Sequence, residues 1–331
     1  MRYQVDHIAV PGQKTGEAEF REYILDSVSV EPKRLRPAVI VCPGGGYWFC
    51  SDREAEPIVM QFLSMGCHSF CLYYSVAPEN HFPVSLWEAA KAVALVRTHS
   101  EEWLVDPEQI YVCGFSAGGH LACSLGMFWN RGFVYEPLGL TAEQVKPNGM
   151  ILGYPVITSG EFAHRGSFEC LLRKEGQKLT VDAYFRQYVD ALAGEAESAA
   201  KTAGAPCAGQ QADTAARGSV AVRLGCTEEE SRTAMEEFVS LEKKASADSP
   251  RAFVWHTFED GAVPVENSLF LVSALRGCGV NAELHIFPKG DHGLALANEE
   301  TSVPEGRQLM PAVQEWIPLV RAWIEGWKPS R

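Results

Sequence analysis

Short apolar runs alternate along most of this chain with stretches whose apolar residues recur every three or four positions. Continuous runs at Ala38 to Cys42, His68 to Val76 and Ile110 to Cys113 predict buried strands, Gly149 to Ile157 reads as another central strand, and Phe253 to Thr257 and Ala282 to Phe287 as two further strands, the latter the last. Helical spacing follows several of them. It predicts helices from Ser51 to about Met65, from Leu86 to about Trp103, after Ser116 (Leu121, Ala122, Leu125, Met127) and from Val265 to Cys278. A closing helix carries Leu309, Val313, Trp316, Ile317, Val320, Trp323, Ile324 and Trp327 on one face, and Pro318 is expected to kink it. Residues 5–10 and roughly 19–30 alternate apolar and polar around Pro11-Gly12, as half-exposed antiparallel strands do. Repeated strand–helix units of this kind predict an α/β fold with a mostly parallel central sheet and helices on both faces.

That rhythm fails between about Ser159 and Ser249. Ala193 to Ala216 is rich in Ala, Gly and small polar residues, bracketed by helical pieces near Val181 to Leu192 and Thr227 to Lys243. The expectation is a single domain over 1–331, with 160–250 an insertion of the kind that forms a lid or a spacer.

Composition narrows the picture a little. At 331 residues, 46% hydrophobic and 21% charged, the chain is long enough for one large core. A net charge of −13 with no basic stripe argues against nucleic acid or an anionic membrane as partner. The ten cysteines include no C-x-x-C pair and no histidine partner at zinc spacing, so they are expected as free, mostly buried thiols in a reducing compartment. Met1 to Gly12 shows neither a signal-peptide core nor a spanning segment, and a cytoplasmic location is the expectation.

The chemistry concentrates at Gln109 to Met127. A β-branched and aromatic run leads into Gly114-Phe115-Ser116-Ala117-Gly118, which fits G-x-S-x-G, and a helical pattern follows. Strand, glycine-flanked serine and helix together form the context of a nucleophile elbow, in which small neighbours let strand and helix close around a strained serine. The alternative is a plain strand-to-helix turn with the serine as helix cap. A second glycine run, Pro43-Gly44-Gly45-Gly46-Tyr47-Trp48, ends another buried strand. Its amides are candidates to hold an oxyanion, with Gly45 and Gly46 as the favoured donors alongside Ala117. A flexible turn or a phosphate cradle is the competing reading, but neither the Walker pattern nor G-x-G-x-x-G is matched. Arg53 with Glu54 or Glu56 is a candidate brace for this loop; a solvated ion pair explains them equally well. Tyr47, Trp48 and Tyr74 are candidates to shape an acyl or sugar pocket, or are plain packing.

A serine nucleophile needs a base and a group to orient it. His292 lies in the polar turn Asp291-His292-Gly293 after the last strand, and Asp260 lies after the strand before it. Loops at the carboxyl ends of strands in an open α/β sheet carry such groups. Glu259 is a possible substitute for Asp260, and Asp291, adjacent in sequence to the histidine, ranks last. Among the nine histidines, His120 lies inside the helix after Ser116, His256 and His285 lie in strands, and His7, His68, His81, His99 and His164 have no partner motif.

Together, P-G-G-G-Y, R-E-x-E-P, Y-S-V-A-P-E, G-F-S-A-G-G-H-L-A, G-Y-P-V-I, H-T-x-x-D-x-x-V-P-V-E-N-S and E-L-H-I-F-P-x-G-x-H-G resemble the α/β-hydrolase esterases of the acetylxylan esterase-like, prolyl-oligopeptidase-related group. The resemblance spans roughly residues 35–160 and 250–297. It implies the α/β-hydrolase fold, Ser116 as nucleophile, Asp260 as acid, His292 as base, and Gly45, Gly46 and Ala117 around the oxyanion. It also implies a serine esterase for short acyl esters, plausible substrates being small molecules or oligosaccharides with acetyl groups, and no metal or organic cofactor. An amidase or peptidase of the same fold (kynurenine formamidase is one relative), or an inactive binding protein, are the rivals. Pro43 stands where many relatives carry a histidine, so the bond bracing the glycine loop must come from elsewhere. The 160–250 insertion is longer and more Ala-rich than the group's usual lid.

Overall fold

The computed structural model describes residues 1–172, 228–304, 306 and 308–326. Eight strands form one sheet: β1 (Arg2–Ile8), β2 (Ala18–Ile24), β3 (Arg36–Cys42), β4 (His68–Tyr73), β5 (Val105–Phe115), β6 (Gly149–Gly153), β7 (Arg251–Thr257) and β8 (Ala282–Phe287). Their spatial order is β1-β2-β4-β3-β5-β6-β7-β8. β1 and β2 pair antiparallel, as does β2 with β4, and every other neighbouring pair is parallel. The longer helices are α1 (Glu56–Ser64), α2 (Val84–Thr98), α3 (Ser116–Phe128), α4 (Arg165–Leu172), α5 (Glu228–Phe238), α6 (Glu266–Gly277) and α7 (Trp316–Gly326).

Successive residues of a strand face opposite sides of a sheet, so a strand covered on both faces must be apolar throughout. In β3, Ala38, Ile40 and Cys42 enter a core shared with α2, α3 and α6, while Val39 and Val41 enter a second core with α1 and α7. Each such buried aliphatic or aromatic side chain contributes about 1.5–3 kcal/mol relative to exposure. Stability therefore resides in the sheet layers, and the loops at its carboxyl edge are left to carry chemistry.

Three local expectations need correction. The strand expected over Gly149 to Ile157 stops at Gly153, because Tyr154 turns to a positive φ of 35° ahead of Pro155. Asp106-Pro107, whose turn chemistry predicts the point where the chain enters the Ser116 strand, instead lies within β5, where a register shift between Arg36 and Ala38 absorbs the irregularity. The closing helix is broken, not kinked. Pro311–Gln314 forms a single turn, and Pro318 sits in the first turn of α7, where a missing N–H costs no helical bond.

Of the 160–250 stretch, the expected helix at 181–192 and the Ala-rich segment lie outside the described residues. The flanks α4 and α5 bring Phe168, Leu171, Leu172, Met235 and Phe238 into the same core as α2 and α3. No described helix is long and apolar enough to cross a membrane. The described cysteines are free thiols.

Candidate active site

β5 delivers Ser116 at the first position of α3, with φ at +52°. That strained conformation survives because its flanks are bare. A Cβ on Gly114 would lie 2.1 Å from the Gly118 carbonyl oxygen, and one on Gly118 would lie 2.1 Å from that of Cys42. The glycines thus allow the helix start to pack against β3 and β5. Ala117 is buried in the first turn of α3, where an N–H has no partner within the helix.

Two further loops reach the same edge. His292, after β8, has Nε2 2.8 Å from Ser116 Oγ and Nδ1 2.7 Å from Asp260 Oδ2. The hydroxyl therefore donates to Nε2, and Nδ1–H donates to the carboxylate. The imidazole retains 23% side-chain exposure while the Asp260 side chain is fully buried. Oδ1 of Asp260 accepts the amides of Ala262 (3.0 Å) and Val263 (2.9 Å). Burial alone would raise its proton affinity. Hydrogen bonds from His256 and His292, the charge of His292 and the Val263 amide outweigh that and hold the carboxyl well below the usual carboxylate range. The rival acids Glu259 and Asp291 are exposed.

The glycine run after β3 is held at its first three carbonyls and at the Gly44 amide. Pro43 O accepts from Tyr74 Oη (2.7 Å), Gly44 O accepts from Ser51 N (2.9 Å), and Gly45 O accepts from Trp48 N (3.0 Å) and Phe49 N (3.2 Å). The Gly44 amide donates to Glu54 Oε2 at 2.8 Å. Gly45 and Gly46, both at positive φ, keep amides with no acceptor among the described residues. Of the three aromatic residues named for the pocket, only Trp48 is exposed, at 53%. Tyr47 and Tyr74 are buried, and their hydroxyls serve the scaffold: Tyr47 donates to His120 Nδ1 (2.9 Å), and Tyr74 holds Pro43.

Several residues near the site carried no such role in the sequence. His256 is 3.3 Å from Asp260 Oδ2 through Nε2, which also meets Val263 O at 2.9 Å, and its Nδ1 meets Ser268 Oγ at 2.7 Å. The H-T-x-x-D spacing held that signal, but strand periodicity pointed to packing alone. Tyr154 places its ring edge-on to His292, with centroids 5.0 Å apart, and its hydroxyl donates to Glu54 Oε1 at 2.5 Å. His164, at the start of α4, bonds Ser167 Oγ through Nδ1 at 2.8 Å; burial lowers its proton affinity, with the charge of His292 adding to the effect. His120 is structural, its Nε2 meeting Val239 O at 2.9 Å, and burial lowers its pKa to about 4.

Among the described residues no group of three or more His, Cys, Asp or Glu is placed to hold a metal ion. A cavity of about 720 Å³ lies at the amino ends of the strands, lined by Leu35, Pro37, Cys67, Asp106 and Arg321 among others, and shares no residue with the Ser116 cluster.

Residues 39–222 match the family model described as alpha/beta hydrolase fold, and residues 220–308 match that of the prolyl oligopeptidase family. The chain is similar to the acetyl ester-xyloside bifunctional hydrolase from Caldicellulosiruptor lactoaceticus, at 32% identity and a TM-score of 0.66, with 95% of this chain and 89% of that chain covered. It is 29% identical over 270 residues to endo-1,4-beta-xylanase B of Butyrivibrio fibrisolvens, covering 80% of this chain and 33% of that protein. It is 24% identical over 290 residues to the acetylxylan esterase of Xylanibacter ruminicola, covering 86% of this chain and 46% of that protein. The chain spans less than half the length of these two curated relatives.

Proposed function

The chain belongs to the α/β-hydrolase fold family, and from that premise we propose that it is a serine carboxylesterase acting on short acyl esters, with acetyl groups on sugars as the favoured substrate. The observation that carries this reading is the continuous chain of hydrogen bonds from Ser116 Oγ through His292 to Asp260, at 2.8 and 2.7 Å. In the first half of the reaction Ser116 Oγ attacks the acyl carbon and its proton passes to His292 Nε2. The tetrahedral oxyanion rests on the amides of Ala117 and of Gly45 or Gly46. As the intermediate collapses, His292 returns the proton to the departing alcohol and an acyl-Ser116 remains. Water then attacks that ester, giving its proton to the same nitrogen, and the carboxylic acid leaves. Asp260 keeps the imidazole in the tautomer that accepts at Nε2.

The sugar part of the reading draws on the names of the similar proteins, an acetyl ester-xyloside hydrolase and an acetylxylan esterase. A second reading, an amidase or peptidase, draws on the match of residues 220–308 to the prolyl oligopeptidase family. The test compares p-nitrophenyl acetate, acetylated xylo-oligosaccharides and aminoacyl-p-nitroanilides, with Ser116→Ala as the blank. Cleavage of the acetates and fluorophosphonate labelling of Ser116 are expected. Exclusive cleavage of the anilides would overturn the esterase reading, and an unreactive Ser116 would favour a binding protein.

A further inference from the structure

Two adjacent side chains, Arg53 and Glu54, grip opposite halves of the site. Glu54 is 4% exposed and accepts the Gly44 amide at 2.8 Å and the Tyr154 hydroxyl at 2.5 Å. The Tyr154 oxygen in turn accepts the Ala295 amide at 2.9 Å, three residues past His292, and its ring lies edge-on to that imidazole. Arg53 donates to Gly293 O at 2.8 Å, to Thr301 O at 2.5 Å and to Gln308 Oε1, and Gln308 Nε2 reaches His292 O at 3.4 Å. The glycine loop and the histidine loop, far apart in sequence, therefore meet at one short turn, Asp52–Glu54.

The alternative of a solvated ion pair is excluded by this geometry. Glu54 is buried, the half-buried Arg53 spends its donors on Gly293, Thr301 and Gln308, and the two do not pair with each other. A buried carboxylate is costly unless donors surround it. Here both oxygens face donors, and with the Tyr154 hydroxyl donating, neither has an acceptor for a proton of its own. Burial raises the proton affinity of Glu54 above that of an ordinary carboxylate, and the Tyr154 bond, the charge of His292, the Gly44 amide and the charge of Arg53 offset only part of that rise. The Gly44 position also explains how the loop is braced with Pro43 in place of a histidine: a Cβ there would lie 2.5 Å from Glu54 Oε2 and 3.0 Å from Ser116 Cβ. Gly44 is thus the point where brace, loop and nucleophile touch.

We infer that Arg53 and Glu54 act as positioning residues: Glu54 fixes the Gly44 amide so that the next two amides aim at the oxyanion, and Arg53 holds the His292 loop against Ser116. The inference rests on the serine-esterase reading and adds to it what sets the distance between oxyanion donors and base. Neither residue touches substrate. Their removal should therefore act on kcat with little effect on KM, since only the transition state uses the aligned amides.

The experiment measures kcat and KM on p-nitrophenyl acetate per fluorophosphonate-titrated site, and the affinity for a trifluoromethyl ketone, which forms a tetrahedral oxyanion on Ser116. In Glu54→Gln the amide oxygen still accepts from Gly44, but its NH2 group meets the Tyr154 hydroxyl. We expect kcat to fall about 10-fold in Glu54→Gln and about 100-fold in Glu54→Ala, with KM within about twofold. Ketone affinity should fall in parallel with kcat. Arg53→Ala should also lower kcat, with part of the loss recovered in Arg53→Lys. Wild-type kcat per titrated site in both Glu54→Gln and Arg53→Ala, whatever their melting temperatures, overturns the inference; the near-isosteric Gln variant decides if the Ala variant does not fold. A wild-type protein that neither cleaves the acetate nor takes the fluorophosphonate overturns the underlying reading instead, and the inference with it.

Discussion

Replacing Asp260 by Asn tests the proposed triad most directly, because the four donors around that carboxylate dictate how the amide must sit. Oδ1 faces two backbone amides, Ala262 and Val263, which can only donate. The single oxygen of Asn must therefore stay there, and its NH2 group must occupy the Oδ2 position, 2.7 Å from His292 Nδ1 and 3.3 Å from His256 Nε2. His292 can satisfy that NH2 only by accepting at Nδ1, which moves its proton to Nε2. Ser116 then faces a donor and has no base. A loss of about 10⁴-fold in kcat follows, equivalent to ~5.5 kcal/mol of transition-state stabilisation. The fold should survive, since His256 Nε2 keeps Val263 O as an acceptor at 2.9 Å, and the cost of the remaining mismatch is about 1–3 kcal/mol.

The assay is steady-state hydrolysis of p-nitrophenyl acetate with native structure confirmed by circular dichroism, and Glu259→Gln as comparison. The exposed Glu259 should tolerate its change, with kcat held within about twofold. A second readout follows from linkage. The folded carboxyl of Asp260 is held below its ordinary value, so its stabilisation is present above the unfolded pKa of about 3.9 and is lost as pH falls through the lower folded value. The stability gap between wild type and Asp260→Asn should therefore narrow below about pH 4. A folded Asp260→Asn protein with kcat within about tenfold of wild type would refute the reasoning, because the tautomer argument leaves no route to such activity.

Other changes probe the scaffold. Gly44→Ala inserts a methyl group 2.8 Å from Phe115 O and 2.5 Å from Glu54 Oε2; displacement of the loop should lower kcat about 100-fold, measured on the same acetate. Trp316 is fully buried, stacked on Trp255 with centroids 5.4 Å apart, and donates to Ala295 O at 3.0 Å. Trp316→Ala should destabilise by about 3–5 kcal/mol in urea unfolding. Glu22 is a buried carboxyl whose oxygens meet no hydrogen-bond donor among the described residues, and burial, aided by the nearby Asp6 carboxylate, pushes its pKa up from 4.5 to about 7. A raised acid favours the folded state while protonated, so this contribution is present below pH 4.5 and is lost as pH rises through about 7. Glu22→Gln should therefore raise stability at pH 8 by about 1–3 kcal/mol while changing little at pH 4, read from paired denaturation curves.

Some of this was written in local order along the chain. Ala38–Cys42 in β3 and Ile110–Cys113 in β5 are apolar because both faces of the sheet are covered there, so continuous runs located those strands, and Ala282 to Phe287 has the predicted bounds. Gly114 and Gly118 announce the elbow because close approach of strand and helix tolerates no side chain there. Helix and strand ends were less legible. Pro318 reads as an interior kink only if the helix is taken as continuous from Leu309, and the break before Trp316 depends on where that indole must reach, the Ala295 carbonyl.

The partners of the site residues were beyond the sequence for a different reason. Periodicity reports which side of an element is buried, not what it meets. His256 looks like any strand residue, Tyr154 like any core aromatic, and Glu54 like any acid in a helical first turn, until folding brings strands β3, β5, β6, β7 and β8 to one edge. The sequence by itself determined the layered α/β architecture and the residue types able to perform acyl transfer, because burial patterns and backbone strain act over a few neighbouring residues. Only the tertiary structure decided that Asp260 and not Glu259 faces His292, and that Tyr74 and Glu54 hold the glycine loop where Pro43 cannot. Hydrogen bonds act over about 3 Å, and no local rule states which distant loops come that close.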